Sequence, residues 1–344
     1  MSEVTYIWGA GASWGERKFG KNGIITEFTR GMPVVNELER AIQLLKVSLA
    51  QNAKQNVVAK NQHEYIAQKL DLLGRACNSY PTIDTLAKQL FVTKDKFDNV
   101  LSYDDLKRSL AVALLMMQDW KKRDLRYDGF IASLIKEDKS FPPMTILSWN
   151  YDVQFELAYS RYLKDKLSIP FLWKELNVYN KKYTFCCDSN KPFEMIKLNG
   201  SALFADSSQI IEVGGNRAAD IENCFDDDNN ETPLQLGYKF LTGNNYSDMI
   251  SYAWENGGMK ELKSAIEQRV SDTNLLIVIG YSFPYVNNDV DTFIIKNMPE
   301  LENVVIQNKN FDDVKERVEG ILEGRHVNIV SKQSLQQFCI PNRF

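Results

Sequence analysis

"NLLIVIGYSFP", residues 274–284, is an almost unbroken apolar run closed by a glycine, and its reading decides the fold. A strand with one wet face alternates apolar and polar side chains. A run that is apolar at nearly every position suits a strand covered on both faces, as in the interior of a parallel sheet. "VTYIW" (4–8) and "MTILSWN" (144–150) read the same way, and "YTFCC" (183–187), "FEMIKLN" (193–199), "NVVIQN" (303–308) and "HVNIV" (326–330) are further short strand candidates. Between them lie helical patterns, "YDVQFELAYSRYLKD" after the second run and "GMKELKSAIEQRV" (258–270) before "NLLIVIG". Strand alternating with helix predicts an α/β fold, a Rossmann-like doubly wound parallel sheet.

One long stretch breaks the alternation. From about residue 35 to 140 the pattern is helical, and we read it as an insertion within a single domain spanning 1–344. "VVNELERAIQLL" opens just after Pro33, and "YPTIDTLAKQL" offers Thr82 or Asp84 as an N-terminal cap. Leu106, Leu110, Leu114, Met117 and Trp120 fall on one stripe, which predicts a core-facing helix. Residues 205–235 are rich in turn formers and acidic at Asp226, Asp227 and Asp228, so a mobile, solvated polar loop is expected there ahead of a cation site.

Composition excludes several function classes. Forty-one basic and forty-five acidic residues give a net charge of -4, without the basic footprint of a nucleic-acid binder. Cys77, Cys186, Cys187, Cys224 and Cys339 contain no CxxC pair, so no zinc is expected. The N-terminus lacks a basic leader and "LAVALLMM" (110–117) is too short to span a bilayer; a cytoplasmic protein without membrane contact is expected. His63 and His326 are the only histidines, and neither sits in a catalytic pattern.

In an open parallel sheet, ligands sit beyond the carboxyl ends of the strands. The residues found there are Gly9, Ala10, Gly11, Ala12 and Ser13 after the first run, Asn150 and Asp152 after the second, and Asn199, Gly200 and Ser201 after "FEMIKL". Gly280, Tyr281 and Ser282 follow "LLIVI", and Asn308 ends "VVIQN". Glycines let backbone approach a diphosphate, and a helix expected after the first turn would favour an anion. Asn199-Gly200 carries two readings, because Asn-Gly between apolar runs is also a strong hairpin signal.

"GAGAS" (9–13), "SWNYD" (148–152), "IKLNGS" (196–201), "VIGYSFP" (278–284) and "VVIQN" (304–308) together resemble the bacterial SIR2-like family, sirtuin relatives that include NAD-consuming antiphage effectors. "PTIDTLAKQL" is similar to a segment those proteins carry before the second strand. The resemblance, over about residues 4–310, implies an NAD or ADP-ribose-like ligand. Gly9, Gly11 and Ser13 would meet the diphosphate, Asn150 and Asp152 the nicotinamide ribose, and Gly280, Ser282 and Asn308 the adenosine side. It implies an NAD glycohydrolase working as a homo-oligomer or with a defence-complex partner, or else a nucleotide-sensing or scaffold subunit. Two departures stand out: the zinc-ribbon cysteines of protein-deacylating sirtuins are missing, and Asn199 occupies the place where the family pattern "KLHGS" has its catalytic histidine. A neutral amide has no usable basicity at pH 7 and can only position.

Overall fold

The computed structural model describes residues 3–53, 59–120, 123–163, 168–182, 188, 190–206, 209–211, 233–255 and 259–342. The chain opens with β1 (Val4–Trp8), buried at all five positions, and a 3-10 turn over Ala10–Ser13. No α-helix follows the turn. The chain instead forms an antiparallel hairpin, β2 (Arg17–Phe19) and β3 (Ile25–Phe28). Its tip is Asn22-Gly23, where Gly23 adopts φ +74° and Gly20 N–H bonds the Ile24 carbonyl at 2.9 Å. Asn and Gly tolerate this left-handed backbone, which is why the pair seeds tight hairpins.

The next stretch is helical: α1 (Leu38–Ala53), α2 (Ala59–Ser79), α3 (Ile83–Thr93), α4 (Tyr103–Trp120) and α5 (Leu125–Leu134). Thr82 caps α3, its hydroxyl accepting from Thr85 N–H at 3.1 Å, so Asp84 is left to bond elsewhere. On α4 the expected stripe is buried at Leu106, Leu110, Leu114 and Met117.

Strand and helix then alternate through β4 (Met144–Ser148), α6 (Gln154–Ser160), α7 (Ile169–Glu175), β5 (Val178–Asn180) and β6 (Phe193–Lys197). β7 (Gly200–Asp206), β8 (Gln209–Ile211), α8 (Pro233–Thr242) and β9 (Tyr246–Ile250) come next. The chain closes with α9 (Met259–Val270), β10 (Leu275–Ile279), α10 (Asn288–Lys296), β11 (Asn303–Gln307), α11 (Phe311–Leu322) and β12 (Asn328–Ser331). The expected strand at 183–187 and most of the polar loop expected over 205–235, including Asp226–Asp228, lie outside the described residues.

Seven strands form one parallel sheet in the order β12-β11-β10-β1-β4-β6-β5, flanked by helices and consistent with a Rossmann-like fold. Its interior strand is the opening run: β10 is buried at every position between β1 and β11. Side chains alternate between the faces. Tyr6 and Trp8 join a core built with helices of the 38–134 stretch, while Ile7, Leu147, Leu276 and Val278 join a second core under α9, α10 and α11. From β1 the chain builds outward to β4 and β6 on one side, and from β10 to β11 and β12 on the other. The switch point therefore lies between β1 and β10.

β7 pairs antiparallel with β8 and β9 in a separate three-stranded sheet, which the sequence pattern did not announce. This resolves Asn199-Gly200. β6 and β7 do not pair; the two residues carry the chain from one sheet into the other, with Gly200 at φ +70° against the Met249 carbonyl. A side chain there would meet that backbone, so glycine is required.

Candidate functional site

Register brings the expected strand ends to one place. Trp8 pairs with Ser148 and Ile279, Ser148 with Lys197, and Ile279 with Gln307. One residue further on, Gly9, Trp149, Leu198 and Gly280 continue the ladder: Gly9 N–H bonds the Ile279 carbonyl at 3.0 Å, Trp149 the Trp8 carbonyl at 2.9 Å, Leu198 the Ser148 carbonyl at 2.8 Å and Gly280 the Gln307 carbonyl at 3.0 Å.

At the switch point the two glycine turns are packed backbone to backbone. A Cβ on Gly9 would lie 2.5 Å from Tyr281 Cα, and one on Gly11 would lie 2.7 Å from Gly280 Cα. Gly280 itself has φ +61°. The glycines therefore have a structural duty that stands apart from any ligand. Among the described residues, the backbone N–H groups of Ala10, Tyr281 and Ser282 find no acceptor, so donors suited to an anion remain at this crevice. Cations gather beside it. Arg126 Nη2 donates to the Gly11 and Ala12 carbonyls at 3.1 and 3.2 Å, and Lys309 Nζ lies 3.2 Å from the centre of the Trp14 ring. Desolvation, with Arg17 and Arg126 nearby, holds the Lys309 ammonium below its usual pKa in spite of Glu37.

Ser13 is the hub of the β1 turn. Its Oγ lies 2.7 Å from the Tyr127 hydroxyl and accepts from Asn150 Nδ2 at 3.2 Å, all buried. Burial pushes the Asp152 carboxyl upward, opposed by the Lys197 ammonium and the Ser13 hydroxyl. Asp152 also works as a local cap, its Oδ1 accepting from Gln154 N–H at 3.1 Å at the start of α6. Behind it Lys197 Nζ donates to the Asp152 carbonyl at 2.5 Å and pairs with buried Glu156 at 3.4 Å.

On the adjoining side, Tyr281 stacks on Trp149 at 5.4 Å, donates to buried Asp291 at 2.9 Å, and has its carbonyl held by Asn308 Nδ2 at 2.9 Å. The exposed Ser282 has its carbonyl bound by Arg317 at 2.5 Å. Ser201 is drawn elsewhere: it is buried in β7 and accepts from Asn180 Nδ2 at 3.3 Å.

Asn199 is 1% exposed and both ends of its amide are engaged. Oδ1 accepts from Ala253 N–H at 3.2 Å, and Nδ2 donates to the Tyr151 hydroxyl at 3.4 Å. Tyr151 in turn donates to Asp84 Oδ1 at 2.5 Å. Asp84 reaches the strand ends from the first turn of α3. Desolvation raises its carboxyl from 3.8 to about 6, with the Tyr151 hydrogen bond pulling the other way.

Neither Tyr151 nor Tyr127 stands out in the sequence as a site residue, and Asp84 reads there only as a cap. Tyr151 lay inside the quoted "SWNYD", but a contact between residues 67 apart has no signature in one sequence. Among the described residues, no group of three or more His, Cys, Asp or Glu side chains could hold a metal ion, and no helix is long and apolar enough to cross a membrane. Cys186, Cys187 and Cys224 lie outside the described residues. No protein-family model matches the chain, and no curated protein matches it.

Proposed function

We propose that this chain is a sirtuin-related NAD glycohydrolase, cleaving NAD to nicotinamide and ADP-ribose in the cytoplasm as part of a bacterial defence system. One observation carries the proposal. The segments that resemble the family lie at the carboxyl ends of five adjacent strands of a parallel sheet, on either side of its switch point, and Asn150 is tied to Ser13 of the glycine turn at 3.2 Å. The diphosphate would lie against the Ala10–Ser13 turn, served by free N–H groups and neighbouring cations. Asn150 and Asp152 would face the ribose as the C1′–nitrogen bond breaks and its electron pair leaves with nicotinamide. Residues 35–140 would be a helical insertion that covers the strand ends, and the working form a homo-oligomer or a complex with a defence partner.

A second reading is favoured by Asn199. With an amide in place of imidazole, and both amide atoms already bonded, the chain could serve as a nucleotide-sensing or scaffold subunit. Incubating the purified protein with NAD, with chromatography for nicotinamide and ADP-ribose, separates the two. Cleavage supports the enzyme, and saturable binding without products supports the sensor.

A further inference from the structure

We propose that Tyr151 and Asp84 are the proton-accepting pair of this site, taking the proton of the attacking water that Asn199 cannot take. The proposal rests on the NAD-cleaving reading above and names the residues that would complete its chemistry.

The geometry is that of an oriented relay. Asn199 Nδ2 donates to the Tyr151 hydroxyl, so the phenol must turn its own hydrogen toward Asp84 Oδ1, 2.5 Å away. Asn199 thereby acts as the orienting group of the pair. Thr82 takes over the cap of α3, which frees the Asp84 carboxylate from that duty. Among the described residues Asp84 makes no ion pair. The groups facing it are the buried phenols of Tyr151, Tyr252 and Tyr281, from the ends of β4, β9 and β10. Lys88, one turn along α3, sends its ammonium to the Val286 carbonyl at 3.4 Å, while Glu255, which pairs with Lys107 at 3.5 Å, and Asp248 are the further carboxylates acting on Tyr252. The buried Tyr252 hydroxyl lies beside the Tyr151 hydroxyl and interacts with it, so a second phenol adjoins the pair.

A carboxylate that exists to tether α3 would gain from a cation or from full solvation. Asp84 has neither, and desolvation raises its carboxyl to about 6, a value suited to a base working near neutral pH. In the step itself, the water oxygen bonds to ribose C1′ as the bond to nicotinamide breaks with its electron pair. The water proton passes to Tyr151 Oη while the Tyr151 proton passes to Asp84 Oδ1. Asp84 then releases it to solvent. NAD and water give nicotinamide, ADP-ribose and one proton.

The test compares the full-length parent with Asp84→Asn, Tyr151→Phe and Thr82→Ala, the last weakening α3 without touching the pair. Nicotinamide release is followed from pH 5 to 8, with NAD binding by calorimetry and melting temperature alongside. Asp84→Asn and Tyr151→Phe are each expected to lower kcat by ~10²-fold or more, in the range of a lost general base, with NAD affinity within a few-fold. The parent should lose activity as pH falls through about 6, and that limb should vanish in Asp84→Asn. Thr82→Ala should melt earlier yet keep the limb. An Asp84→Asn protein with kcat within threefold of the parent, or with the acid limb intact, overturns the pair while leaving the site standing. A parent that neither binds nor cleaves NAD overturns both.

Discussion

Asn150 Nδ2 and Ser13 Oγ lie 3.2 Å apart, joining the end of β4 to the glycine turn after β1 inside the core. Ser13 also bonds Tyr127, so removing its hydroxyl strands two buried partners at once. Ser13→Ala is expected to cost about 1–3 kcal/mol for the unsatisfied groups, seen as a lower denaturation midpoint. Asn150→Ala leaves Ser13 bonded to Tyr127 and should melt within a few degrees of the parent while abolishing NAD cleavage. A large melting shift with intact cleavage would make Asn150 a purely structural residue.

Glycine substitutions at the switch point should act on stability before they act on any ligand. Gly280 has φ +61° and packs against the Gly11 backbone, so Gly280→Ala combines left-handed strain of about 1–2 kcal/mol with a clash against main chain. Chemical denaturation should show a loss larger than the strain figure alone. An unchanged midpoint would mean that the two turns separate at no cost.

Asp84 gives a pH signature without any substrate. Its carboxyl is raised from 3.8 to about 6, so between those values the folded protein keeps a proton that the unfolded chain has released. Stability contributed by this group is therefore lost as pH rises through that window. The full shift would be worth about 3 kcal/mol, and partial exposure reduces it to about 1–2 kcal/mol. Asp84→Asn should melt above the parent at pH 7, and the two curves should converge near about pH 4. A variant less stable than the parent across the range would identify Asp84 as a structural tether.

Asn199→His would install the imidazole that the resemblance expects, but at a buried position where it displaces both hydrogen bonds of the amide. The site is 1% exposed and Ala253 N–H depends on the amide oxygen. We expect about 1–3 kcal/mol of destabilisation from overpacking and no gain in nicotinamide release. A gain of ~10²-fold would restore the histidine mechanism and remove the need for Tyr151 and Asp84.

The parallel sheet was legible because β1, β4 and β10 are apolar at most positions and buried at all of them, a pattern that burial on both faces imposes. Strand-end residues followed from it, since parallel register brings the ends of neighbouring strands level. The hairpin after Gly11 and the β7–β9 sheet were not legible. Arg17–Phe28 is polar and its strands are short, and β7 pairs with β9 across a long intervening stretch. Asn-Gly occurs at 22–23 as a hairpin tip and at 199–200 as a crossing between sheets, and only the pairing of the flanking strands tells them apart. Asp84 escaped notice for a related reason. Its partner is distant in sequence, and a capping position already explained an acidic residue there.

NAD cleavage at the switch point is read out by nicotinamide release from the purified protein at pH 7. Nicotinamide and ADP-ribose should appear in equal amounts, and Asn150→Ala should produce neither. Absence of both products from the parent, together with no saturable binding of NAD, would contradict cleavage at this site.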